Sequence, residues 1–447
     1  MHDLIFLGFL AALFSAGLRK PFLLVLTYVY IDIVSPQRLT YYLLNSVPIS
    51  LIAVALAVGG FLIADRKADV RFAPRQALLV LLLCYCGLTT TTADFPIEAA
   101  DKWEWVWKAL AFAAFLPLTL RTKLRIEALL LFMVLSAATI IIVGGIKTAA
   151  GGGGYGELDL MVTNNSGLYE SSTIAAVAIT IIPLILWFMK YGTIFRPDWK
   201  VKTFGIALIF SCLLIPVGTS ARTGLLCIVL LALLMFRLSK RKLPFIAATV
   251  LLAVVAVPLL PSSFTQRMDT IKTHEGDESA STRLAVWAWT IDYAKAHPFG
   301  GGFNAYLQNK VRYELKSANG DATGIAKDKA RAYHSAYFEM LGEQGYPGLA
   351  IWLIINLAGV VRMEVIRRRH RDPEDPYAWA GALAAALQSG QLIYMLGAAF
   401  VGIAFQPFIY MLIGAQIGLD TYLTRKRGET TVKSFRPANG KPVIAPA

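Results

Sequence analysis

Residues 126–147 read IEALLLFMVLSAATIIIVGGIK, directly after Arg121, Lys123 and Arg125. A spanning helix needs about 20 mostly apolar residues, and this stretch supplies them. The same reading recurs at 4–18, 21–35, 46–64, 76–92, 104–120, 170–190, 203–218, 223–237, 244–260, 346–363, 378–398 and 404–423. Thirteen spans are predicted, or twelve if the short first pair forms a tight hairpin that only partly crosses. The expected fold class is an all-α polytopic membrane protein.

Composition agrees. The chain has 447 residues, 56% hydrophobic and 16% charged, with mean hydropathy +0.56, whereas soluble domains are roughly 25% charged. Disorder, a collagen-like fibre and a disulfide-stapled secreted domain are excluded. Cys84, Cys86, Cys212 and Cys227 lie inside apolar runs and read as small hydrophobes. Leu4–Leu18 lacks the basic start of a signal peptide and continues through Arg19-Lys20-Pro21, so it reads as a retained helix.

The formal net charge is +14, from 43 Lys and Arg against 29 Asp and Glu. These bases sit in alternate connections: Arg19-Lys20; Arg66, Lys67, Arg71 and Arg75; Arg121–Arg125; Lys190–Lys202; Arg237–Lys242; Arg362–Arg371; and Arg425–Arg427. The intervening connections, such as Ala93–Ala100 and Gly151–Gly154 leading to Glu157 and Asp159, are neutral or acidic. This positive-inside pattern makes the excess a topology signal and argues against nucleic acid as a partner. It places the C-terminus in the cytoplasm, with Pro437–Ala447 expected as a disordered tail.

One outer connection, 262–345, is far longer than the rest. Four regions follow: a helix bundle at 1–261, a large periplasmic loop at 262–345, further spans at 346–428 and a cytoplasmic tail at 429–447. Within the loop, Ser281–Ala296 is predicted as an amphipathic helix with Leu284, Trp287 and Ile291 on one face. His297–Gly302 is expected as a flexible turn, Tyr306–Leu315 as a second helix and Ala318–Ala326 as a polar loop. Long loops with this aromatic content are usually working elements.

Ionisable groups at the outer boundary are functional candidates. Arg222 follows Thr219 and Ser220 in a very short turn, an arrangement suited to an anion; an arginine snorkelling to the interface is the bland alternative. Arg283 opens the amphipathic helix with Trp287 one turn later, and its planar fork suits phosphate, unless it is simply a solvated charge. His334 is the only one of five histidines at a membrane-proximal helix start. Arg331, Tyr337 and Phe338 are expected one turn away. An imidazole there could abstract a hydroxyl proton or merely cap the helix. Glu170, Glu339 and Glu343 are further acid/base candidates, each equally able to pair with an arginine. The chain lacks Gly-x-x-x-x-Gly-Lys, His-Glu-x-x-His and Asp-x-Asp, so no metal or other cofactor is expected.

The Ser-x-Arg-Thr-Gly turn, an Arg-Leu-x-x-Trp helix followed by Pro-x-Gly-x-Gly, and His334 to Gly345 spaced as His, eight residues, Glu-x-Gly resemble the O-antigen ligase family. The Asn-rich segment of relatives is only loosely followed at 161–173, around Asn165 and Glu170. The resemblance implies a GT-C-like membrane glycosyltransferase in the bacterial inner membrane with its site facing the periplasm. It would move a glycan from an undecaprenyl-pyrophosphate carrier to lipid A–core by metal-independent, inverting transfer. Arg222 and Arg283 would hold the pyrophosphate and His334 would be the base, with Arg331, Tyr337 and Ser220 as helpers in substrate binding. Grooves between helices would hold the lipids, and the chain is expected to act as a monomer. O-antigen polymerases and protein O-oligosaccharyltransferases share the donor. A transporter of a lipid-linked or anionic substrate is the rival of another class. Pro183, Pro216 and Pro407 interrupt spans as in transporters, but no half is duplicated and charge within the spans is nearly absent.

Overall fold

The computed structural model describes residues 2–40, 44, 47–65, 70, 72–151, 167–256, 278–316 and 322–434. The basic residues Arg66, Lys67 and Arg71, the run from Gly152 through Asn165, the segment 257–277 with His274, residues 318–321 and the expected tail lie outside these.

The chain is a succession of helices: α1 (His2–Arg19), α2 (Phe22–Val34), the single turn α3 (Pro36–Leu39), α4 (Ile49–Ala64), α5 (Pro74–Thr91), α6 (Pro96–Thr119) and α7 (Lys123–Gly151). Then come α8 (Ser171–Tyr191), α9 (Trp199–Gly218), α10 (Arg222–Leu238), α11 (Lys242–Ala256), α12 (Glu278–Ala296), α13 (Ala336–Arg369), α14 (Ala378–Ala398) and α15 (Pro407–Ser434). Each predicted span overlaps one of these helices, residues 257–260 of the span 244–260 lying outside the described ones. Among the described residues, α7, α8, α9 and α13 are long and apolar enough to cross a membrane. The apolar α2 and α4 are shorter. The protein is an all-α membrane protein, with a two-stranded hairpin as the sheet seen among the described residues.

Small residues let the helices approach closely, as lipid-embedded bundles require. Gly145 of α7 lies so near Ser211 of α9 that a Cβ there would stand 2.9 Å from the serine Cβ, and Gly397 of α14 meets Ala176 of α8 in the same way at 2.7 Å. Helix α8 is well enclosed: its residues from Thr173 to Ile185 are all buried, packed among α9, α10 and α14. Pro183 and Pro216 fall inside α8 and α9, but Pro407 opens α15 rather than interrupting a span.

The bundle is also less neutral than expected. Glu127 of α7 is buried, yet it accepts hydrogen bonds from the backbone N–H of Ile194 (2.7 Å) and from the Thr193 N–H and hydroxyl. A buried carboxylate is tolerated when its oxygens are satisfied in this way.

Candidate functional site

The long outer connection folds differently from expectation in its middle. After α12, Ala305–Gln308 makes a single 3-10 turn, and Lys310–Lys316 is a strand, β1, where a second helix was predicted. The stretch predicted as a polar loop contributes β2 (Ala322–Lys329), paired antiparallel to β1 with Tyr313 opposite Ala326. The reason is periodicity: Val311, Tyr313 and Leu315 alternate with charged residues at period two, a strand pattern. Val311 and Tyr313 are accordingly buried.

The inward face of α12 also differs. Val286, Thr290 and Tyr293 are buried, whereas Leu284 and Ile291 of the expected apolar face are exposed. Val286, Val311 and Tyr333 form a small core with Trp289, Tyr306 and Phe338 packed on it. This core is what ties helix, hairpin and the start of α13 into one unit.

His334 sits at its edge, between the hairpin and α13. The chain returning from β2 is tied down twice. Buried Asn309 accepts the Arg331 N–H through its side-chain oxygen (3.0 Å) and donates its amide to the Arg331 carbonyl (2.7 Å). Trp287 donates its indole N–H to the Tyr333 carbonyl (2.8 Å) and stacks on Phe338, rings 7° apart with centroids 4.8 Å apart. On either side of these ties Ala330 and His334 both adopt left-handed backbone, φ 54° and 47°. Such conformations in non-glycine residues persist only where the surroundings over-determine them, and they concentrate at functional sites. Helix α13 starts only at Ala336, so Arg331 is not one helical turn from His334 as expected.

The imidazole is solvent-exposed, yet protein surrounds it closely enough to push its pKa below the ordinary histidine value. Partial desolvation is the first cause and the Arg283 guanidinium the second; Glu170 opposes them, and Arg331 adds a small push in the same direction. Arg283, Glu170 and Arg331 are thus brought within electrostatic reach of His334.

Each partner has its own placement. The Glu170 carboxylate caps α8, accepting the N–H of Ser172 (3.2 Å) and of Thr173 (2.7 Å) and the Thr173 hydroxyl. Arg331 is ion-paired with Asp328. Tyr337 turns into the bundle, where its hydroxyl donates to the Met395 carbonyl (3.1 Å). Arg222 opens α10 after Ser220, itself buried and left-handed at φ 49°. A Cβ on Gly224 would stand 3.2 Å from that of Ala175, so the first turns of α10 and α8 lie side by side. Arg222 and Glu170 therefore share one end of the bundle.

Beneath this layer, Glu339 and Glu343 pair with a lysine rather than an arginine. Lys102 Nζ lies 2.6 Å from Glu339 Oε1 and 2.8 Å from both Glu343 oxygens. Ala404 N–H donates to Glu339 and Asn304 N–H to Glu343, at 3.1 and 3.0 Å. Phe303 and Phe405 flank the ammonium, each 5.5 Å away. Sequence reasoning missed Lys102, because nothing in its local sequence distinguishes it from a boundary lysine.

The Gly300–Gly302 turn is not flexible. Gly301 and Gly302 donate to the carbonyls of Gly342 (3.1 Å) and Glu343 (2.9 Å), and Asp94 donates back to the Gly301 carbonyl (2.9 Å). A Cβ on Gly300 would stand 2.6 Å from Gly345 N, at the kink where α13 bends with φ 63°. The three glycines lock the loop between the α5–α6 connection and α13, and Tyr293 donates its hydroxyl to Asp94 beside them.

Fold and site together define a helical membrane protein whose polar side chains gather at one end of the bundle under a tied-down loop. Residues 206–353 match the family model described as O-Antigen ligase, which bears out the resemblance to that family over the segment that carries the motifs. Residues 1–193 match a family of unknown function (DUF5935). No curated protein matches the chain. Members of the ligase family are glycosyltransferase-like membrane enzymes. The site crosses the two matched segments: Glu170 and Lys102 lie in the first, Arg222, Arg283 and His334 in the second.

Proposed function

We propose that this protein is a glycan ligase that uses an undecaprenyl-pyrophosphate donor and lipid A–core as acceptor, at the outer face of the bacterial inner membrane. The observation that carries the reading is His334 itself: exposed, held in a left-handed conformation by Trp287 and Asn309, and biased towards the neutral form that a general base needs.

In this scheme the acceptor hydroxyl oxygen attacks the anomeric carbon as its proton passes to His334. The bond from that carbon to the pyrophosphate oxygen breaks, and undecaprenyl pyrophosphate leaves with the electron pair. Arg283, and Arg222 from the neighbouring helix end, hold the charge that develops on the leaving group. One displacement without a protein nucleophile inverts the anomeric carbon. The Glu170 carboxylate, held as the cap of α8, counterbalances this cationic group electrostatically, and the pyrophosphate supplies the driving force. Ser220 and Arg331 remain candidate substrate contacts, whereas the Tyr337 hydroxyl, engaged with Met395, supports the site from behind.

The test uses purified full-length protein, donor and lipid A–core, with EDTA present. A gel shift of the acceptor that survives chelation and is lost in Arg222→Ala and in His334→Ala supports the reading. Unchanged activity in either variant overturns the site assignment. Longer donor-linked chains without acceptor modification would make it a polymerase.

A further inference from the structure

At the end of the bundle remote from Glu170, α7, α8 and α9 enclose a groove of about 380 Å³. Its walls are Leu131, Val134, Ile185, Phe188, Phe204 and Leu208, with Glu127, Phe195 and Lys200 at the mouth. We propose that this groove binds one acyl chain of an anionic phospholipid, with the headgroup phosphate at Lys200.

Length is the first argument. From Lys200 to Leu208 the α9 wall rises about 12 Å, at roughly 1.5 Å per helical residue. One leaflet of the hydrocarbon core is about 15 Å deep, half of the roughly 30 Å total. The groove therefore covers most of one leaflet's depth and accepts most of one chain.

Charge is the second. Lys190, Arg196, Lys200 and Lys202 cluster at the connection between α8 and α9. The acidic groups facing them are Asp198 and Glu127, and both are engaged: Asp198 caps α9 by accepting the Val201 N–H at 2.8 Å, and Glu127 is held by Thr193 and Ile194. Four basic side chains against these two carboxylates leave this end net positive, whereas the walls offer a headgroup nothing polar. Lys190 Nζ lies 5.1 Å from the Tyr191 ring and Lys200 Nζ 5.8 Å from that of Trp199, the pairing of aromatic and basic side chains found at headgroup depth. A zwitterionic lipid would gain the apolar contacts and could place its phosphate at Lys200, but its own cation leaves the excess positive charge of this end uncompensated.

The proposal is independent of glycan transfer, because the groove contacts α8 at Ile185–Met189 and not at its Glu170 end. The test is thermal unfolding of the full-length protein in detergent with added phosphatidylglycerol, phosphatidylcholine or glycerophosphoglycerol. Phosphatidylglycerol is expected to raise the midpoint by about 3–5 °C, as binding to the native state must; phosphatidylcholine gives a clearly smaller shift and glycerophosphoglycerol none. Lys200→Glu should abolish most of the shift, and so should Leu131→Trp, which fills the groove from a partly exposed position. An equal shift with phosphatidylcholine, a shift with the chain-free headgroup, or a full shift in both variants would overturn it. Should one variant not fold, the other and the lipid comparison still decide.

Discussion

The indole N–H of Trp287 and the backbone carbonyl of Tyr333, 46 residues apart in the chain, meet at 2.8 Å, and this bond sets the peptide immediately before His334. The Phe338 ring stacked on the same indole fixes its plane. Trp287 does not need to touch substrate to matter: it holds His334 in a conformation that the residue would otherwise leave.

Trp287→Phe keeps an aromatic ring on Phe338 but strands the Tyr333 carbonyl. An unsatisfied buried acceptor costs about 1–3 kcal/mol. Expressed in the barrier, the lower part of that range is roughly a tenfold loss of kcat. The expected signature in steady-state transfer assays is a fall in kcat with KM little changed, and Trp287→Ala should lose more.

The pH profile of transfer should reflect the depressed His334 pKa. A lowered value keeps the imidazole neutral, hence basic, further into acid than a free histidine at about 6.5. The acid limb of kcat/KM is therefore expected below that value. Arg283→Gln removes one of the depressing causes, so the limb of its residual activity should move to higher pH. The stability sign is the same: the native state resists protonation, so His334 imposes no penalty above about pH 6.5 and a growing one as pH falls below it.

Lys102 is the cation shared by two buried carboxyl groups, with side-chain exposures of 8% for Glu339 and 0% for Glu343. Removing one partner of a buried ion pair typically costs about 3–5 kcal/mol. Lys102→Met is expected to lower the detergent melting midpoint markedly. The triple variant Lys102→Met, Glu339→Gln, Glu343→Gln should recover a good part of the loss, because no uncompensated charge remains.

Gly302→Ala places a Cβ against Ala93 on a residue with φ 78°. Strain and overlap act together, so the loop should detach from the α5–α6 connection. Limited proteolysis between α12 and β1 is the measurement, with faster cleavage and loss of transfer as the expected outcome, while the helical circular dichroism of the bundle stays near that of the parent.

Span positions were legible because hydrophobic length is a local property: the run at 126–147 announces α7 without any knowledge of its neighbours. His334, Arg283 and Arg222 were legible as candidates for a related reason, since polar groups at a lipid boundary are costly and stand out against an apolar background. The hairpin at Lys310–Lys329 was locally written too, in the alternation of Val311, Tyr313 and Leu315, but its charged partners masked it.

What local sequence could not contain is pairing across distance. Lys102 and Glu343 are separated by 241 positions and Trp287 and Tyr333 by 46, and each side chain alone is compatible with a dozen environments. Gly300–Gly302 looked like a loose turn because glycine is permissive; packed against α13, the same missing Cβ became a condition for close contact. Periodicity and composition are properties of a segment and survive in any fold that contains it. The choice of counter-ion, backbone anchor and lock belongs to the tertiary structure, because hydrogen bonds and ion pairs act over a few ångströms and only folding brings such residues that near.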